Sequence, residues 1–260
     1  MFAPAASRAA LFALHALNLE LAHVRSSTSD GSIGRMRFTW WRTTIAQALR
    51  GEPPDHPVAQ ALARAHEARP LTGRYLEQMV DAREADLSVR QPENVAEVAT
   101  YCERTAGALL LLGLECVGAP PSEAAEHAAV HVGCALGLAT LLRGAPVHAA
   151  QGCTYVPADV AARHAVSLKG VLDGQASQAL ADANFELANE ATTHLLAARS
   201  LRAELPPAAR AVLLPCVVAD LVLQRLHRCA YATFAPEVRQ PLGVRLPLSL
   251  AWRSHVLRAY

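Results

Sequence analysis

Few side chains in this sequence have the types and spacing that chemistry needs. His127, His131 and Cys134 recur at i, i+4 and i+7, which on a helix puts three zinc-binding groups on one face. A zinc hydrolase of the HExxH kind would follow its first histidine with glutamate; Ala128 stands there, and no fourth ligand is evident. The trio reads as packing or surface residues rather than a metal centre. Asp81 and Asp86 come nearest to a carboxylate pair, with Glu20 a distant third. Hard divalent cations want several converging oxygen ligands, and two aspartates five residues apart lie about 140° apart around a helix. Capping, or ion pairing with the nearby Arg83, is the expectation for both. The last set is Arg37, Trp40, Trp41 and Arg42. Large aromatics beside arginines make core or interface anchors, and the alternative is that Arg37 or Arg42 grips an anion or a lipid headgroup. No catalytic residue, cofactor or metal follows from these groups.

Composition narrows the classes. Of 260 residues, 52% are hydrophobic and 18% charged, which fits a folded chain and excludes disorder. Twenty-four Lys and Arg against 23 Asp and Glu leave a net charge of +1, no electrostatic footprint for nucleic acid. The six cysteines are scattered without a CxxC pair, so they read as free thiols in a reducing compartment. No apolar run is expected to span a membrane; the best, LLPCVVADLVL, is cut by Asp220 and holds Pro215. The first ten residues read as the start of a helix, not as a signal or transit peptide. Phosphate-cradling loops and nucleophile elbows are absent from the sequence, and strand patterns are nearly so.

The elements that must position these groups are helices. Helical spacing of Leu11, Leu14, Leu17, Leu21 and Val24 predicts a first helix from about Pro4 to Arg25. A second runs from Ile33 to Arg50, and an alanine-rich third, after GEPPDHPV, to about Ala68. Residues 73–87 form a fourth. A long apolar helix is predicted over Val95–Val117 and another from Ser122, a plausible N-cap, to Leu142. A short helix near Ala158–His164, a long one over 175–203, one from Ala208 to about Tyr231, and a last ending at Tyr260 complete the chain. With no repeat and no long linker, residues 1–260 read as one domain.

Residues 134–160 then take on meaning. Gly137, Leu142, Arg143, Gly152, Tyr155 and Pro157 frame a stretch that resembles the second signature of the squalene/phytoene synthase family. The likeness extends from Phe2 to Tyr260 through Arg-x-x-Trp-Trp-Arg (Arg37–Arg42), VDAREADL (Val80–Leu87) and Tyr-Cys-x-x-x-Ala-Gly (Tyr101–Gly107). The resemblance implies an all-α, isoprenoid-synthase-like bundle around a central cavity, with the helices ending near Arg25 and Arg143 facing each other. In that family two aspartate-rich runs hold Mg²⁺ against a diphosphate. The first falls here on Ala22, His23 and Ser26 beside Arg25, and the second on Gly144 and His148. Neither supplies a carboxylate. Tyr101, Asp81 and Asp86 remain as candidate contacts for a ligand or partner.

The sequence is similar in particular to the family's non-catalytic branch, whose members help build respiratory complex I at the matrix side of the mitochondrial inner membrane. That resemblance implies complex I subunits or other assembly factors as partners, peripheral contact with the inner membrane, and no enzyme activity. The alternatives are a prenyl-diphosphate transferase with a displaced metal site, an isoprenoid- or lipid-binding protein, and, for location, the bacterial cytoplasm.

Overall fold

The computed structural model describes residues 3–28, 30–243 and 245–251, and every regular element among them is helical. The helices are α1 (Arg8–Ser27), α2 (Gly31–Leu49), α3 (Pro57–Ala68), α4 (Gly73–Asp86), α5 (Val95–Cys102), α6 (Ala108–Val117), α7 (Glu123–Ala150), α8 (Ala158–Arg163), α9 (Leu168–Leu172), α10 (Gln178–Ser200), α11 (Pro207–Val212), α12 (Cys216–Arg228), α13 (Pro236–Arg239) and α14 (Arg245–Ala251). Side chains fix several starts. Asp30 accepts from the Ser32 amide ahead of α2, Asn94 from Glu97 ahead of α5, and Ser122 from Ala125 ahead of α7. Each such cap is worth about 1 kcal/mol.

The central element is α7, which α5, α6, α10 and α12 surround. Its Ala128, Ala129, Val132, Ala135, Leu138 and Ala139 are almost wholly buried. Small residues let its neighbours come close. A Cβ at Gly133 would sit 2.3 Å from the Gly107 Cα, backbone against backbone, so no other residue fits there without moving a helix. A second core unites α1, α2, α3, α4 and α6 around Leu14, Leu17, Leu21, Phe38, Trp41 and Met79.

Three helix expectations need correction. The apolar stretch 95–117 is split by a π-helical turn, Glu103–Gly107, and this is where Gly133 presses on Gly107. The helix expected to stop at Leu142 runs on through Pro146 to Ala150; proline at that point removes one ladder bond without ending the helix. The 208–231 helix breaks between α11 and α12 ahead of Pro215, which has no amide proton to carry the ladder on. The extended α7 also overturns the membrane-span expectation on length. It is long and apolar enough to cross a bilayer, but half of its most apolar window is buried inside the fold as core. The end expected for the last helix, at Tyr260, lies outside the described residues, which reach Ala251.

Candidate functional site

Four segments converge where α1 ends. Arg25, in the last turn of α1, is followed by residues that leave the helix; Asp86 closes α4; Tyr155 stands in the loop after α7; and His148 sits in the final turn of α7. The Tyr155 loop is held by backbone bonds to the segment after α4: the Thr154 amide donates to the Arg90 carbonyl at 2.8 Å, and Ala158 to Pro92 at 2.9 Å. Two stretches far apart in sequence thereby bring a tyrosine and an aspartate together.

Their geometry is a closed network. Arg25 Nη1 donates to Asp86 Oδ2 at 2.6 Å and to the Tyr155 hydroxyl oxygen at 3.2 Å, while Nη2 donates to the Val89 carbonyl at 2.9 Å. Tyr155 in turn donates its proton to Asp86 Oδ2 at 2.6 Å. Asp86 is only 8% exposed. Burial alone would lower the Arg25 pKa, but the Asp86 charge and the hydrogen bond to it outweigh burial and hold the guanidinium charged. Burial chiefly, with Tyr101 and Asp86, raises the Tyr155 pKa, so the phenol stays protonated. Tyr101 leans on Tyr155 with ring centroids 5.8 Å apart and is itself pushed up to about 12 by burial.

His148 closes the other side. Its ring stands edge-on to Tyr155 at 4.8 Å. Burial first, then Arg25, lowers its pKa to about 4, so the imidazole is neutral at physiological pH. One turn earlier, Gly144 leaves the room in which that ring lies: a Cβ there would meet His148 Nε2 at 2.7 Å. The two residues are a matched pair. The ends of α1 and α7 approach each other at Arg25 and His148, close enough for the guanidinium to act on the imidazole, not at Arg143, where α7 has not yet ended.

Of the stretch 22–26, Arg25 alone joins this network; Ala22, His23 and Ser26 lie exposed on the outside of α1. Asp81 and Asp86 are separated, as their angular spacing required. Both are ion-paired, but neither with Arg83, which bonds Asn18 instead at 2.7 Å. Asp81 meets Arg42 at 2.6 Å, as does Glu84 at 2.5 Å. That places Arg42 in an exposed ion-pair cluster away from Asp86, worth little individually. Arg37 donates to Ser27 at 2.7 Å. Trp41 is buried and Trp40 half-exposed, the two stacked edge-on with each other and with His56. Local pattern had given no role to Arg25 or to the Tyr155 hydroxyl.

His131 and His194 share a 2.9 Å contact between Nδ1 atoms, and His194 reaches Glu190 at 3.4 Å. Cys134 turns instead to the Ala99 carbonyl. Among the described residues, no three His, Cys, Asp or Glu side chains are grouped to hold a metal ion.

Beside the network lies a cavity of about 170 Å³, with Ala82, Ala85, Val98 and Tyr101 in its walls and exposed Arg104 at its edge. Pockets that bury a drug-sized ligand are larger, about 300–1,000 Å³.

Comparison with known proteins places this geometry. The family model for squalene/phytoene synthase matches residues 1–252. A Homo sapiens relative, NADH dehydrogenase (ubiquinone) complex I, assembly factor 6, is 36% identical over 253 residues, covering 96% of this chain and 75% of its own. The Drosophila melanogaster homolog of that factor is 34% identical over 264 residues, covering 96% and 76%. Among solved structures, a dehydrosqualene synthase in complex with ligand superposes with a TM-score of 0.84 at 18% identity, over 100% of this chain and 90% of that one. At that identity the likeness speaks for the fold.

Proposed function

The chain belongs to the squalene/phytoene synthase family, and we propose that within it the protein is a non-enzymatic assembly factor for respiratory complex I, acting in the mitochondrion on the matrix side of the inner membrane. The relatives at 34–36% identity over nearly the whole chain carry the assembly-factor name, and this supports the role. Complex I subunits or other assembly factors are then its partners.

One observation carries the non-enzymatic part. Where the family holds metal between carboxylates, this chain puts a guanidinium: Arg25 satisfies Asp86 at 2.6 Å. Mg²⁺ needs near-octahedral oxygen ligation and gives up its water reluctantly. Asp86 already has a cation and a phenol proton, Gly144 offers no ligand, and His148 offers a nitrogen. These residues do not fit a Mg²⁺–diphosphate cluster. An internal cation fixed by the fold replaces the exchangeable one, so the site is structural.

A second reading, an isoprenoid or lipid binder, draws on the apolar walls of the cavity beside Tyr101. The two are separated by melting the protein with Mg²⁺ and farnesyl or geranylgeranyl diphosphate. A site that bound this pair only when folded would gain about 2.7 kcal/mol at a hundredfold excess over the dissociation constant. The proposal expects no shift that requires both components. A shift needing both would return the chain to the enzymes, and a shift with an uncharged isoprenoid alone would favour the binder.

A further inference from the structure

Helix α2 presents an apolar ridge that no other part of the described chain covers. Ile33, Met36 and Trp40 follow at i, i+3 and i+7, which aligns them along one side of the helix, and they are 43%, 63% and 44% exposed. The inner edge of Trp40 is held by Trp41 and His56, with ring centroids 4.8 and 5.4 Å away, so the indole is fixed in its outward position. The sequence of α2, GSIGRMRFTWWRTTIAQAL, has three arginines and no acidic residue. Of these, Arg42 is neutralised by Asp81 and Glu84; Arg37, exposed about 70° round the helix from the ridge, donates to the Ser27 hydroxyl, while Arg35 lies about 130° from the ridge, where its charge acts on Asp30. The surrounding segment is basic as well. Residues 1–50 contain six arginines (8, 25, 35, 37, 42 and 50) against Glu20 and Asp30, of which Arg25, Arg42 and Arg50 are ion-paired with acidic residues further along the chain.

We propose that the Ile33–Met36–Trp40 ridge, flanked by Arg37, docks the protein on an anionic phospholipid surface. The chemistry matches on three counts. A tryptophan with one edge anchored and one edge free suits the headgroup level, where its amphipathic ring is favoured. The Arg37 guanidinium beside it can pair with lipid phosphates, and its long stem allows it to rise to the headgroups while the apolar side chains sink. The third count is size. Three side chains on a convex helix cannot supply the roughly 800 Å² per partner of a stable protein–protein interface, whereas shallow insertion needs no matching groove and is reinforced by every basic residue near the surface. The proposal sharpens the membrane-side placement of the assembly-factor reading by naming the face that makes contact, but the binding it predicts does not depend on complex I.

Flotation of the full chain with phosphatidylcholine vesicles containing or lacking about one-third phosphatidylglycerol tests it. Binding is expected to the anionic vesicles, to weaken with rising salt, and to be at least tenfold poorer on neutral ones. Met36→Asp and Arg37→Glu should each cut binding tenfold or more while leaving the melting temperature unchanged. Should Arg37→Glu disturb the Ser27 contact, Met36→Asp, whose side chain is mostly in solvent, still decides. No binding to anionic vesicles, or equal binding by Met36→Asp, overturns the proposal. If the ridge variants float normally but fail to support complex I, the surface belongs to a protein partner and the lipid proposal is wrong. Rescue of complex I by a non-floating wild-type chain would sink this inference while leaving the assembly-factor reading intact.

Discussion

Arg25→Ala tests whether the guanidinium at the centre of the site is a structural cation. The substitution leaves Asp86, 8% exposed, with the Tyr155 hydroxyl as its remaining strong partner, and deprives the Val89 carbonyl of its donor. Removing one member of a buried ion pair costs about 3–5 kcal/mol, mostly because the other charge is stranded. The Arg25 and Asp86 side chains keep 20% and 9% of their surface in solvent, so screening puts the loss near the lower end, about 3 kcal/mol. In a chain of this size each kcal/mol moves Tm by about 2–4 °C, which gives a drop of about 6–12 °C. Thermal unfolding followed by circular dichroism at pH 7 reads it directly. Asp86→Ala should cost less, because the stranded Arg25 can still reach Val89 and water. The double variant should lose less than the sum of the two, by about 1 kcal/mol or more, as expected for groups in one network. An Arg25→Ala chain melting within about 2 °C of wild type, or strictly additive losses, would refute the reasoning.

Other perturbations follow from the same contacts. His148 is held neutral with a pKa of about 4 against an ordinary 6.5; the unfolded chain takes up its proton first, so stability falls as pH drops from 6.5 toward 4, by roughly 3 kcal/mol, and is unaffected above. Denaturant titrations at pH 7 and pH 5 should show about 2 kcal/mol of this loss in wild type and a distinctly smaller one in His148→Asn. Gly144→Ala should be nearly neutral in a melt, because the imidazole can swing away from the new methyl and alanine gains about 1 kcal/mol of helix propensity. Gly133→Ala should instead cost about 1–3 kcal/mol or more, since its Cβ would meet the Gly107 backbone at 2.3 Å. Trp41→Ala, at a 4% exposed position, should lose about 3–5 kcal/mol and lower the protein's own steady-state level in cells. Trp40→Ala should leave that level largely intact, and immunoblotting both variants tells fold loss from surface loss.

The helical bundle was legible because its signals are local. Leucines at helical spacing, Ser122 ahead of acidic residues, and the small residues of α7 each announce themselves within a few positions. The misread boundaries are those where tertiary packing outweighs a local stop signal. Gly144 and Pro146 look like the end of a helix, yet α7 continues to Ala150 because its neighbours pack along both sides. The candidate site was legible only by its residues, not by its pairings. Asp86 was singled out, but its partners lie 61 and 69 residues away, and Arg83, three residues off, was the natural guess on a local reading. Nothing in composition or spacing says that the chain from Thr154 to Asp159 will be stitched to residues 90–93, which is what delivers Tyr155. Arg25 stood in the sequence only as the neighbour of the first aspartate-free run; that it pairs with Asp86 required the fold.

The claim at the centre of this account is that the chain supports complex I without running synthase chemistry. The direct measurement is the amount of fully assembled complex I on native gels, in cells whose own assembly-factor relative is deleted and which express this chain as wild type, Gly144→Ala or His148→Ala. The account predicts that all three restore the complex to similar levels, with no new prenyl-diphosphate condensation product in the cell lipids. Failure of the wild type to restore the complex, or loss of rescue by a stably accumulated His148→Ala chain together with loss of such a product, would contradict it.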